Sequence, residues 1–310
     1  MVTDILLLLA GLALIVFGAE VLVEGASSIA RKAGISEFVI GLTIVGFGTS
    51  CPELVVSLTG ALQGNADISI GNVMGSNIFN VLLILGLTAL FSPIEITDTN
   101  RKRDIPIALL VTFILIFCGM SGNEITRVEG IVFLLIFAVY MYSCFKFDKV
   151  DSVQETTQES KSIAVSVLLV LAGLGGLIFG GRIFVNNAID IAGRLGVSEK
   201  VIAITLLAGG TSLPELATCL VAAAKKKDQL ALGNIIGSNI FNILLILGIS
   251  ATVSPLSYEG ITIIDSGALL LSAVLVWICA YTGRRNRIDR WEGLVMLAVF
   301  GGYYFLLFRN

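Results

Sequence analysis

The chain has no histidine in its 310 residues. The commonest general base and the commonest transition-metal ligand near neutral pH are therefore missing. Five cysteines (Cys51, Cys118, Cys144, Cys219, Cys279) are scattered through apolar sequence without a C-x-x-C pair. They read as small buried hydrophobes, not as a disulfide framework or a thiolate metal site. Charged residues make up only 14%, and 146–162 is the one long polar stretch. No basic segment precedes the first apolar run, which carries Asp4, so a first helix is expected there and not a cleaved leader.

Hydrocarbon fills the rest. The composition is 56% hydrophobic with a mean hydropathy of +0.94, which marks a membrane protein. Apolar runs of roughly 18–23 residues, enough to cross a ~30 Å hydrocarbon layer as helix, recur throughout. The expected spans are 4–24, 37–62, 68–91, 105–121, 127–145, 163–185, 199–224, 229–252, 262–281 and 291–308. Strands of a membrane barrel would instead alternate over about 10 residues. The expected fold class is an all-α membrane protein with ten transmembrane helices. On that count, fifteen of the twenty Lys and Arg residues fall on one side, among them Arg31, Lys32, Lys225, Lys226 and Lys227. Positive charge stays cytoplasmic, so both termini are expected outside the plasma membrane and the 146–162 linker inside. The clusters Lys225–Lys227 and Arg284–Arg290 read as topology determinants facing lipid headgroups.

The chain repeats itself. Gly48-Thr49-Ser50-Cys51-Pro52-Glu53 returns as Gly210-Thr211-Ser212-Leu213-Pro214-Glu215, and Gly75-Ser76-Asn77-Ile78-Phe79-Asn80 as Gly237-Ser238-Asn239-Ile240-Phe241-Asn242, both 162 residues on. Between Gly71–Leu87 and Gly233–Ile249, 13 of 17 positions are identical, which makes duplication the reading. Residues 1–145 and 163–310 thus form two five-helix repeats, and an odd number of spans inverts the second. Ser36 and Ser198 are expected helix caps. Glu20, Glu24 and Arg182 read as snorkelling or rim contacts.

The repeated blocks carry the chemistry. Pro52 and Pro214 remove a helix bond to the residue four back, and the glycines before them let the backbone unwind. Carbonyls at 46–49 and 208–211 are thereby released in mid-membrane, where free carbonyls persist only against protein, water or an ion. Ser50 and Glu53 share a helix face, as do Ser76 and Asn80, with the same pairs in the second copy. Asn77 and Asn239 point elsewhere and read as helix–helix hydrogen-bonding residues. Isolated Ser, Thr or Asn in a membrane helix is ordinarily packing glue, worth about 0.6 kcal/mol. A carboxylate costs about 2.5–3.5 kcal/mol at a helix centre, and two at equivalent broken positions argue for use. The donors are all oxygen, which suits hard cations such as Ca²⁺ and Na⁺. The charge of Glu53 and Glu215 matches one Ca²⁺, or two to three Na⁺ with a small excess.

In these motifs the chain resembles the cation/calcium exchanger superfamily, in its sodium/calcium exchanger branch. The likeness rests on both G-T-S-x-P-E and both G-S-N-x-x-N blocks and covers essentially the whole chain. It implies a secondary antiporter, not an enzyme, with no cofactor and with Ca²⁺ and Na⁺ as substrates. It implies that Glu53 and Glu215 ligate Ca²⁺ and share Na⁺, and that Thr49 and Thr211 add backbone carbonyls. Ser50, Ser212, Ser76 and Ser238, with the carbonyls of Gly46 and Ala208, would flank them as Na⁺ ligands. Asn80 and Asn242 would close the central position. The first and sixth helices would slide across the other eight. Some relatives carry Asp at a terminal G-S-N-x-x-N position. Both are Asn here, which argues against K⁺ co-transport. Proton/Ca²⁺ exchange is the alternative, and a cation channel using the same ligands is a third reading. The expected partners are the two ions and the lipid bilayer, without nucleic acid, and a monomer suffices for transport.

Overall fold

The computed structural model describes residues 2–147, 161–195, 208–282 and 286–309. Most of the 146–162 linker, Ser198 and the first turns of the seventh expected span lie outside the described residues. Backbone in hydrocarbon must satisfy its own N–H and C=O groups, and helices do so within one segment. The helices are α1 (Val2–Ala33), α2 (Glu37–Thr49) and α3 (Cys51–Leu62), α4 (66–91), α5 (Asn100–Gly122), α6 (Arg127–Phe147), α7 (Ile163–Arg194), α8 (Leu213–Ala224), α9 (Asp228–Val253), α10 (Ile263–Cys279) and α11 (Arg290–Arg309). Among the described residues six helices are long and apolar enough to cross a bilayer, and α2 with α3 makes a seventh span, bent by 50°. Large apolar side chains such as Phe17, Phe117 and Leu135 stand exposed while Glu53, Asn80 and Asn242 are buried. That is the arrangement a lipid solvent favours.

Two compact units divide the chain. One comprises Met1–Thr49 and Asp148–Asn234, the other Ser50–Phe147 and Ile235–Asn310. Each unit draws on both sequence halves.

In the first unit α1 and α7 lie backbone to backbone. A Cβ built on Gly18 would sit 2.9 Å from the Gly173 carbonyl oxygen, and one on Gly173 would sit 2.8 Å from that of Gly18. Only a small residue permits such an approach. Asp4–Arg194 at 2.7 Å and Glu24–Lys161 at 2.5 Å are ion pairs near opposite ends of this pair. Glu24 thus makes a rim contact, as its position in the sequence implied. Ser36 caps α2, accepting from the Val39 N–H at 3.2 Å, and Glu37 beside it pairs with Lys227.

Two short antiparallel pairs, neither of them expected, fasten the second unit. β1 (Ile94–Glu95) pairs with β4 (Arg287–Ile288), and β2 (Glu124–Ile125) with β3 (Leu256–Ser257). Contacts recur with the halves exchanged. Phe79 meets Phe300 at 5.5 Å between ring centroids, and its equivalent Phe241 meets Phe137 at 4.8 Å.

Candidate ion-binding site

Both G-T-S-x-P-E copies break the helix at the same place. α2 ends at Thr49 and α3 begins at Cys51, with Ser50 at φ −85°, ψ 5°. In the second copy a helical turn, Ala208–Gly210, stops short of α8, and Ser212 lies at φ −90°, ψ 5°. Proline lacks an N–H, so it fits the first turn of a new helix and not the interior of a continuous one. Each helix restarts from the serine carbonyl, which accepts from Leu54 N at 3.1 Å in one copy and from Leu216 N at 3.0 Å in the other.

The second unit gathers six of the expected ligands. Ser50, Glu53, Ser76, Asn80, Ser238 and Asn242 are each at most 2% exposed. Ser76 Oγ donates to Glu53 Oε1 at 3.4 Å, so the two motifs of the first repeat meet. Asn72 Nδ2 donates to the Glu53 carbonyl at 3.2 Å and to Ser57 Oγ at 3.0 Å. The two G-S-N-x-x-N motifs also meet. Asn77 Nδ2 donates to the Asn239 carbonyl at 3.2 Å, and Asn239 Nδ2 to the Asn77 carbonyl at 3.5 Å. Asn80 Nδ2 donates to Asn239 Oδ1 at 3.1 Å, and Asn242 Nδ2 to Asn77 Oδ1 at 2.9 Å. Asn77 and Asn239 therefore join helices, as expected. Asn80 and Asn242 sit in π-helical stretches, Phe79–Leu85 and Phe241–Leu247. Such widened turns recur at functional sites.

The first unit holds the others. Gly46, Thr49, Ser212 and Glu215 are buried and Thr211 is half-buried; Ala208 opens its helical turn. Thr49 Oγ1 donates to Asn234 Oδ1 at 3.2 Å and lies 3.4 Å from the Gly46 carbonyl. Asn234 Nδ2 donates in turn to Cys219 Sγ at 3.2 Å. Cys219 stands where the first copy has Ser57. The contacts of Asn72 and Asn234 to motif residues were not foreseen. Their one sequence signal was repetition at the same offset as the acids.

Among the described residues the buried oxygens Asn80 Oδ1, Asn242 Oδ1, Ser238 Oγ and Thr211 Oγ1 find no hydrogen-bond partner. An unsatisfied buried polar atom costs about 1–3 kcal/mol. Carbonyl and hydroxyl oxygens in that state suit a hard cation, which binds lone pairs and needs no proton donor.

Fold and motifs together define a multispan membrane protein with broken helices that carry buried oxygen donors. The sodium/calcium exchanger protein family profile matches residues 3–146 and 165–309. CaxA of Alkalimonas amylolytica, provisionally named an antiporter, is 40% identical with both chains covered in full. Sodium/calcium exchanger MaX1 of Methanosarcina acetivorans is 33% identical over 98% of each chain. A solved structure of the sodium-calcium exchanger NCX_Mj, soaked with Na⁺ and Ca²⁺, superposes with a TM-score of 0.84 at 34% identity, covering 99% of this chain and 98% of that one. The chain belongs to the sodium/calcium exchanger family, within the cation/calcium exchanger superfamily, and is a membrane cation antiporter.

Proposed function

We propose that the chain exchanges Ca²⁺ for Na⁺ by alternating access, through an oxygen site in mid-membrane. Glu53 and Glu215 supply its charge. Ser50, Ser76, Ser212 and Ser238, the amide oxygens of Asn80 and Asn242, and backbone carbonyls at Gly46, Thr49, Ala208 and Thr211 complete the ligand set. The architecture that goes with this reading is ten spans in two inverted repeats, with both termini outside and the 146–162 linker in the cytoplasm.

The observation that carries it is the set of buried oxygens without a partner among the described residues: Asn80 Oδ1, in the motif whose Ser76 contacts Glu53, and Asn242 Oδ1 and Ser238 Oγ in its repeat. A bound cation would satisfy them. The names of MaX1 and NCX_Mj, both sodium/calcium exchangers, favour Na⁺ over H⁺ as the counter-ion. The absence of a third carboxylate at Asn80 and Asn242 favours transport without K⁺.

Flux into proteoliposomes tests the proposal. ⁴⁵Ca²⁺ uptake is expected to require an outward Na⁺ gradient, to fall to background when a pH gradient replaces it with Na⁺ absent on both sides, and to need no K⁺. Uptake driven by the pH gradient alone would move the chain to proton/Ca²⁺ exchange. Uptake with no counter-ion would make it a channel.

A further inference from the structure

An asparagine can offer a cation either its carbonyl oxygen or its NH₂ group, and only the oxygen attracts. The two ends have nearly the same shape, so packing does not choose between them. A hydrogen bond to a group of fixed polarity does. Main-chain carbonyls are such groups, because they only accept.

Two main-chain carbonyls set the polarity of the whole quartet. The Asn77 carbonyl faces the Asn239 side chain at 3.5 Å and takes its NH₂. Asn239 Oδ1 is then turned toward Asn80 and accepts from Asn80 Nδ2 at 3.1 Å. That leaves Asn80 Oδ1 buried and without a partner among the described residues. The reciprocal chain starts at the Asn239 carbonyl, which accepts from Asn77 Nδ2 at 3.2 Å. Asn77 Oδ1 next accepts from Asn242 Nδ2 at 2.9 Å, and Asn242 Oδ1 is left without a partner among the described residues. Turning any one amide over would set oxygen against oxygen or NH₂ against NH₂ along its chain.

We infer that Asn77 and Asn239 are positioning residues that hold the Asn242 and Asn80 amides oxygen-first toward the transported ion, each acting on the repeat it does not belong to. The inference rests on the reading that Asn80 and Asn242 ligate that ion. It makes ion affinity in one repeat depend on the asparagine of the other. It also separates Asn77 and Asn239 from packing residues, because their contribution becomes redundant once the ligand has oxygen at both ends.

Aspartate is such a ligand, and it supplies the test. Equilibrium ⁴⁵Ca²⁺ binding is measured on purified protein, with monodispersity checked by size exclusion. Asn239→Leu removes the acceptor, frees the Asn80 amide to turn, and is expected to weaken Ca²⁺ binding at least about tenfold. Asn80→Asp is the reference: it presents oxygen to the ion whichever way it turns, and its other oxygen is set against Asn239 Oδ1, an opposition that Asn239→Leu removes. The double variant Asn239→Leu/Asn80→Asp should bind at least as tightly as Asn80→Asp, to within about threefold or better. Asn77→Leu with Asn242→Asp repeats the test on the other chain and decides it if Asn239→Leu is not monodisperse. The inference is overturned if the single leucine variant binds like the unaltered protein. It is overturned equally if the double variant stays as weak as the leucine variant. Failure of the unaltered protein to bind Ca²⁺ is a separate result, and it removes the exchange reading itself.

Discussion

Replacing Glu53 with glutamine is expected to reduce Na⁺-driven ⁴⁵Ca²⁺ uptake below detection while leaving the protein folded. The side chain is 1% exposed, receives the Ser76 hydroxyl at 3.4 Å, and follows the helix break at Ser50. Glutamine keeps the shape and one carbonyl oxygen, so the Ser76 contact survives and only the charge is lost. A unit charge 4 Å from a cation contributes about 4 kcal/mol per cation charge at an effective dielectric near 20, enough to lower affinity on the order of a thousandfold. The effect on stability runs the other way. A buried carboxylate opposes insertion by about 2.5–3.5 kcal/mol and a neutral amide by less, so the thermal midpoint in ion-free buffer should hold or rise. Glu215→Gln should behave alike, since Glu215 is also 1% exposed and sits in the same turn of the second copy. Near-normal uptake by either variant, at normal expression, would remove that glutamate from the ligand set. Loss of uptake together with a lower midpoint would indicate a structural role instead.

These glutamates were legible in the sequence because the signals they carry are local. A proline four residues after the motif glycine interrupts a helix whatever surrounds it, and an acid in an apolar span stands out. The ends of α1 and α7 were not legible. Hydropathy placed them at 24 and 185, but the helices continue to Ala33 and Arg194. Hydropathy reports what a residue contacts and not whether its backbone is helical. The added turns carry polar side chains that find protein partners, such as Ser28 with Ser166 at 2.8 Å and Asn187 with the Ile183 carbonyl at 2.7 Å. The π-helical stretches at Phe79–Leu85 and Phe241–Leu247 have no sequence signature either. A widened turn weakens local bonding and persists through the packing around it, which is tertiary information. The asparagines fall between these cases. The sequence showed that Asn77 and Asn239 were placed to bond between helices. That each bonds to the other's backbone and to the asparagine closing the other repeat's motif depends on where the helices cross.

Gly233→Ala is expected to disable the protein, although alanine is the better helix former. In an open helix position that exchange would add about 1 kcal/mol of stability. Here α9 runs against α2 with no room for a methyl group. A Cβ on Gly233 would lie 2.2 Å from the Phe38 carbonyl oxygen and 3.0 Å from Leu42 N, and the reciprocal Cβ on Gly41 would lie 2.4 Å from the Leu230 carbonyl oxygen. These neighbours are backbone, so no side-chain rotation relieves the clash and the helices must separate. Overpacking of this kind costs about 1–3 kcal/mol, occasionally more, which outweighs the gain in propensity. The displacement also falls next to a contact of the proposed site. Asn234 follows Gly233 directly and accepts the Thr49 hydroxyl at 3.2 Å, so moving α2 away from α9 pulls Thr49 from its anchor. The expected result is a thermal midpoint lowered by several degrees, on the order of 2–4 °C per kcal/mol for larger domains. Na⁺-driven uptake should fall in the fraction that remains folded. A Gly233→Ala protein with an unchanged or raised midpoint would show that α2 and α9 do not approach this closely in the membrane, and the Thr49–Asn234 contact would lose its support with them.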